Sequence, residues 1–75
     1  MRGVGTVVRT AGGLAIARTA SGTEPPRIGS SVVDESLATV GRVVDVFGPA
    51  ERPYVAVTPS GDDLTALVGG KLYAR

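Results

Sequence analysis

The apolar residues of this chain fall into short valine-rich runs, which glycine and proline interrupt repeatedly. Twelve valines stand against five leucines and two isoleucines, and the branched valine side chain favours the pleated, half-buried surface of a β-strand. Such runs between turn residues predict a small all-β domain. The predicted strands span residues 4–10, 14–18, 28–33, 39–47, 54–58 and 71–74.

Turn residues predict how these strands connect. Gly12 and Gly13 offer the positive-φ positions of a tight hairpin, Ser21-Gly22 indicates a turn in a loop over residues 19–26, and residues 64–68 suit one short helical turn. The longest apolar run, 39–47, is the predicted central strand. Because six strands with free sheet edges invite aggregation, closure of the sheet is favoured. The pattern therefore predicts one domain over residues 1–75, a small six-stranded antiparallel β-barrel.

Composition narrows the possible chemistry. The 75 residues include no Cys and no His, which excludes thiol nucleophiles, Ser-His-Asp triads and the usual zinc sites. We therefore expect that the protein is not an enzyme and that it binds no cofactor or metal ion. The net charge is +1 and the arginines are dispersed along the chain, unlike the clustered basic residues of a nucleic-acid-binding domain. No apolar run approaches the roughly 20 residues that span a bilayer, so we expect a soluble, cytoplasmic protein.

Several local motifs have plainer explanations than catalysis. Gly3-Val4-Gly5 begins a dinucleotide-binding fingerprint but lacks the third glycine and a following helix, so it is interpreted as a strand entry. Two carboxylate pairs, Asp34-Glu35 and Asp62-Asp63, lie among serines and glycines. They are interpreted as solvated turn residues rather than as a catalytic or metal-binding pair.

Asp45 differs from these paired carboxylates, because it interrupts the most apolar run of the chain. If Val44 and Val46 face the core, then Val43, Asp45 and Phe47 share the outer face, and such a mixed patch is typical of a protein–protein contact. In the alternative, the pattern is reversed and Phe47 lies in the core.

The segment from Phe47 to Tyr54 is the most distinctive of the chain. Phe47-Gly48-Pro49 is followed by Pro53-Tyr54, so two of the three aromatic residues flank one proline-rich loop. Rigid loops lose little entropy when they dock, and aromatic residues dominate binding hot spots.

The segment from Phe47 to Tyr54 is part of a longer resemblance to a known family. The chain resembles the glycine-arginine-rich-type subunit of H/ACA ribonucleoproteins in residues 40–49, in Arg52-Pro53-Tyr54 and in residues 69–73. The resemblance covers residues 28–75 well and residues 1–27 in general plan only. It is closest to a minimal archaeal form, because no arginine-glycine tail is present.

The resemblance implies a barrel of the translation-protein type, related to those of reductases, isomerases and elongation factors. It also implies a non-catalytic subunit that docks on the catalytic domain of a dyskerin-type pseudouridine synthase and promotes substrate RNA turnover. Guide and substrate RNA would then be reached only through the complex, with no membrane or small-molecule partner. The synthase-facing candidates are Val43, Asp45, Phe47, Gly48, Pro49 and Tyr54.

Two alternatives stay open. One is a photosynthetic-reaction-centre-type barrel that acts as an adaptor in RNA maturation or membrane-associated assemblies. Such barrels share the Gly-[Lys/Arg]-Val-x-Asp-Val strand but do not require Phe-Gly-Pro and Pro-Tyr. The other is an assembly factor that occupies the same synthase surface temporarily.

Overall fold

A computed structural model describes residues 2–19, 24–61 and 65–75, without the side chains of Arg2 and Thr65. The described residues form six β-strands and one short 3-10 helix. The strands are β1 (Arg2–Ala11), β2 (Leu14–Arg18), β3 (Ser31–Val33), β4 (Thr39–Phe47), β5 (Tyr54–Pro59) and β6 (Lys71–Ala74), and the helical turn is Thr65–Leu67. No helix of the described part is long and apolar enough to cross a membrane.

The six strands close into a barrel in the order β1-β2-β5-β4-β3-β6, and every neighbouring pair is antiparallel. The predicted all-β barrel is therefore confirmed. A closed barrel has no central strand, so the prediction that residues 39–47 form the central strand is wrong. In this order β4 lies diametrically opposite β1.

Turn chemistry explains most of the strand limits. Gly12 and Gly13 have φ of 56° and 81°, as the predicted hairpin between β1 and β2 requires. β3 starts three residues later than predicted, because residues 27–30 form a turn in which the Ser30 amide bonds to the Arg27 carbonyl at 3.1 Å. β5 includes Pro59, which pairs with Gly41 at the strand end. The predicted turn at Ser21-Gly22 and the Asp62-Asp63 pair lie outside the described residues.

Two of the four register shifts between the described strands determine which side chains in the middle of β1 and β4 face the core. The register shifts by one residue between Val7 and Arg9 on β1, and again between Val43 and Asp45 on β4. An extra residue in one strand breaks the two-residue alternation of side chains. The strict alternation assumed from the sequence therefore fails at both places.

The core consists of small and branched side chains inside the barrel. It contains Val4, Val7, Ala15, Ala17, Val32, Val40, Val43, Val55, Val57, Leu72 and Ala74. Val43 is 1% exposed and Val44 is 40% exposed, so the predicted facing of these two residues is reversed. The bulge explains the error, since Val43 faces inward while Val44 and Asp45 are both exposed. Phe47, at 38% exposure, is not a core residue.

Candidate functional site

Phe47 and Tyr54 form an aromatic pair on the outer face of the barrel. They lie directly opposite each other on β4 and β5, and their ring centroids are 5.6 Å apart with an interplanar angle of 22°. Offset stacking of this kind contributes about 0.5–1.5 kcal/mol beyond the area it buries. The pair is a partly exposed aromatic platform held by two strands.

Gly48 provides the space that Tyr54 occupies. Its φ is 91°, a conformation that other residues adopt only with strain. A β-carbon at this position would lie 2.9 Å from Cδ2 of Tyr54. The glycine therefore allows the chain to leave β4 sharply while the tyrosine ring packs against its backbone.

The loop that follows is fixed by hydrogen bonds at its far end. The amide of Arg52 donates to the carbonyl of Pro49 at 3.2 Å and closes a turn. The fully buried Thr19 donates its hydroxyl to the Pro53 carbonyl at 2.8 Å and its amide to the same oxygen at 3.2 Å. In return, Nε of Arg52 donates to the Thr19 carbonyl at 3.0 Å. These contacts attach the loop to the end of β2.

Two arginines lie over the Tyr54 ring, one on the neighbouring strand β2 and one on β1, which lies beyond β2. The guanidinium carbon of Arg18 is 5.8 Å from the ring centroid, and that of Arg9 is 6.0 Å away. A cation at this distance is attracted to the ring by about 0.5–1 kcal/mol at an exposed site. Tyr54 therefore joins the aromatic pair to a positively charged area on β1 and β2.

The two bulges complete this outer surface. Each presents an exposed valine followed by an exposed charge, Val8-Arg9 on β1 and Val44-Asp45 on β4. Oδ1 of Asp45 accepts the Val46 amide at 2.8 Å, which fixes the carboxylate beside its own strand. We call the surface formed by Arg9, Arg18, Val44, Asp45, Phe47, Gly48 and Tyr54 the aromatic face.

The structure gathers most of the predicted contact residues on this face. Asp45, Phe47 and Gly48 belong to it together with the half-buried Tyr54, and the exposed Pro49 follows Gly48 directly. Val43 is the exception, since its side chain is 1% exposed and belongs to the core rather than to this face. Whether the other five candidates bind a partner stays a prediction.

Sequence reasoning missed Arg9, Arg18 and Val44. A signal for the bulged strands existed, because residues 5–9 and 41–45 share the pattern Gly-x-Val-Val followed by a charge. In both copies the glycine meets a neighbouring strand, since its β-carbon would touch a backbone carbonyl oxygen of Arg18 or Thr58. In both copies the first valine is buried and the second is exposed.

Asp34 illustrates a carboxylate with a local structural role. Its Oδ1 accepts the Ser36 hydroxyl at 2.6 Å and the amides of Ser36 and Ala38 at 2.8 and 3.1 Å. The hydroxyl bond, helped by the two amides, lowers the pKa of Asp34 below its ordinary value of 3.8. The Asp34-Glu35 pair therefore lies in a turn, as the sequence predicts. Within the described residues, no group of three or more His, Cys, Asp or Glu side chains is placed to hold a metal ion.

The profile of one protein family, described as the Gar1/Naf1 RNA binding region, matches residues 1–75. The chain belongs to this family. Membership confirms the resemblance that residues 40–57 and 69–73 carry, and it associates this Gar1/Naf1 chain with H/ACA ribonucleoproteins. The photosynthetic-reaction-centre-type alternative gave no reason to expect such a match.

A relative comes from an archaeon. An uncharacterized protein of Methanocaldococcus jannaschii is 36% identical over 67 residues, which cover 89% of this chain and 75% of that protein. The family description also names RNA binding, which the near-neutral charge and dispersed arginines of the sequence did not indicate.

Proposed function

We propose that this Gar1/Naf1 chain is a non-catalytic accessory subunit of an H/ACA guide-RNA pseudouridine synthase complex. It docks through the aromatic face on the catalytic domain of a dyskerin-type synthase. There it helps to control the loading and release of substrate RNA, and thereby supports rRNA pseudouridylation and ribosome biogenesis.

The observation that carries this proposal is the partly exposed Phe47–Tyr54 pair, held in place by Gly48 and the 49–53 loop. Aromatic side chains that are fixed before binding lose little entropy at an interface and are typical anchors. Val44, which is 40% exposed, adds apolar surface on the same strand as Phe47. Arg9, Arg18 and Asp45 supply charges at its margins, as in the polar rim of a protein interface.

The test is an affinity measurement between the purified chain and a dyskerin-type synthase. Phe47→Ala and Tyr54→Ala each remove a candidate anchor, and loss of a hot-spot residue costs about 2 kcal/mol or more, or about 30-fold in Kd. Ile28→Ala is the matched control, because Ile28 is 66% exposed and lies outside the aromatic face. If both aromatic variants fold and bind the synthase as tightly as Ile28→Ala does, the proposed surface is wrong.

A kinetic measurement tests the role in turnover. We expect addition of the chain to raise the multiple-turnover rate of the guide-RNA complex more than its single-turnover rate, because release of the modified RNA is the step that a docking subunit would assist. An equal effect on both rates would argue against control of RNA release.

A second candidate has the support of the family description, which names two proteins, Gar1 and Naf1. The chain could act as an assembly factor that occupies the synthase surface temporarily. Mass spectrometry of complexes purified through the tagged chain separates the two hypotheses. A mature subunit copurifies with active, guide-RNA-containing particles, whereas an assembly factor copurifies with synthase that lacks them.

A further inference from the structure

A second surface lies on the other side of Arg18, where the barrel wall formed by β6, β1 and β2 is shaped into an open groove of about 430 Å³. Its lining includes Gly3 and Gly5 on β1 and Leu72 on β6. The remaining lining residues are Thr6, Val8, Arg18, Thr19, Arg52, Lys71 and Tyr73. The groove therefore combines a glycine-rich strand with three cations and one aromatic side chain.

The charged side chains described in this groove are all positive. Arg18 stands on β2, Lys71 on β6, and Arg52 reaches it from the loop that is bonded to Thr19. All three are exposed. Among the described residues that line the groove there is no carboxylate, and the sequences of β1, β2 and β6 contain no Asp or Glu. A chain with net charge +1 thus concentrates positive charge on one wall, which its sequence does not suggest.

From this groove we infer a binding site for the phosphodiester backbone of a short single-stranded RNA segment. Arg18, Arg52 and Lys71 would each meet a phosphate, and the half-buried Tyr73 offers a ring on which a base can stack. Gly3 has no heavy atom within 4 Å of the place where a β-carbon would stand, so the RNA backbone can approach β1 closely at this residue. The family description, which names RNA binding, favours RNA over an acidic protein segment.

This inference goes beyond the synthase-docking proposal. The two surfaces share Arg18, but the test is independent of the docking proposal, since it uses the chain without the synthase. The probe is a fluorescein-labelled ten-nucleotide oligouridylate, and binding is followed by anisotropy. Three phosphate contacts predict that Kd rises about 20-fold between 50 and 200 mM NaCl, because log K falls by about 0.7 per contact for single strands. Binding is expected to be weak and indifferent to sequence, since phosphate contacts and stacking on a single ring carry little sequence information.

Lys71→Gln is the decisive variant, because Lys71 is exposed and its loss leaves the barrel wall intact. It is expected to weaken binding severalfold and to reduce the salt slope by about 0.7. Arg42→Gln is the matched control, since Arg42 is an exposed arginine on β4, diametrically opposite β1. It removes the same charge from the far wall and should leave the affinity nearly unchanged.

Three outcomes would overturn the inference. The first is no saturable binding of the oligouridylate at 50 mM NaCl. The second is an equal loss of affinity in Arg42→Gln and Lys71→Gln, which would indicate attraction to the overall charge. The third is tighter binding of a glutamate-rich peptide of the same net charge than of the oligouridylate, which would assign the groove to an acidic protein segment. Amide chemical-shift changes at Gly3, Gly5 and Lys71 on RNA addition would support the groove as the site.

Discussion

Replacement of Gly48 by alanine tests how the aromatic face is held. The substitution forces a side chain into a φ of 91°, which costs about 1–2 kcal/mol for a non-glycine residue. The new β-carbon would also lie 2.9 Å from Cδ2 of Tyr54. The ring must therefore move, and part of the stacking with Phe47, worth about 0.5–1.5 kcal/mol, is lost. The expected total is about 2–3 kcal/mol.

Gly69→Ala separates the two contributions. Gly69 has a nearly identical φ of 88°, but no heavy atom lies within 4 Å of its β-carbon position. This variant therefore carries the backbone strain alone. In a domain of this size 1 kcal/mol shifts Tm by about 4–8 °C. We expect Gly69→Ala to lower Tm by about 5–15 °C, and Gly48→Ala to lower it by about 5 °C more.

Thermal unfolding followed by circular dichroism gives both Tm values, and ring-current shifts in proton NMR spectra report the Phe47–Tyr54 stacking directly. Gly69→Ala should leave those shifts unchanged, whereas Gly48→Ala should alter them. If Gly48→Ala is no less stable than Gly69→Ala and keeps the same ring-current shifts, Gly48 does not hold the tyrosine ring, and the rigid platform in the proposed function loses its basis.

Three further predictions concern stability. Val43→Ala should lower the free energy of unfolding in urea by about 2 kcal/mol, because two buried methyl groups are lost and a cavity remains. Val44→Ala should change it by no more than about 0.5 kcal/mol, because Val44 is exposed. Gly41→Ala should lower Tm by about 12–24 °C in circular dichroism, since the new β-carbon would touch the backbone at Thr58. Overpacking of this kind costs about 3 kcal/mol. Asp34→Asn should be less stable than wild type at pH 7, and the difference in Tm should shrink as the pH falls below 3.8, because a carboxyl with a lowered pKa loses its contribution on protonation.

Each of these has a contrary result. Equal costs for Val43→Ala and Val44→Ala would place the β4 bulge elsewhere. A folded Gly41→Ala with wild-type Tm would mean that the strands at Thr58 can separate without cost. A difference between Asp34→Asn and wild type that does not change between pH 7 and pH 2 would show that the charge of Asp34 is not what stabilises its turn.

Much of the fold followed from local chemistry. The bounds of β2, β4 and β6 agree with the predicted strands, since a glycine with positive φ stands within two residues of one end of each strand. The Gly12-Gly13 hairpin agrees for the same reason, because positive φ is a property of the residue itself. Barrel closure followed from the number of strands and the cost of free edges.

The candidate site was predicted only in part. Phe47, Gly48 and Tyr54 were identified because aromatic residues around a Gly-Pro turn are conspicuous in any sequence. Val43 was assigned to the wrong face, because an alternation rule cannot locate an inserted residue. The bulge arises where β4 pairs with β5, and this pairing is a tertiary property.

By itself the sequence determined the strands, the turns and the absence of Cys and His chemistry, since each of these depends on residue type and near neighbours. The tertiary structure alone decided which charges lie together. Arg18, Arg52 and Lys71 are far apart in the chain and looked dispersed, yet barrel closure places β2 and β6 on either side of β1 and brings all three to one groove. Electrostatic potential depends on distance in space, so a positively charged wall can form in a chain whose net charge is only +1.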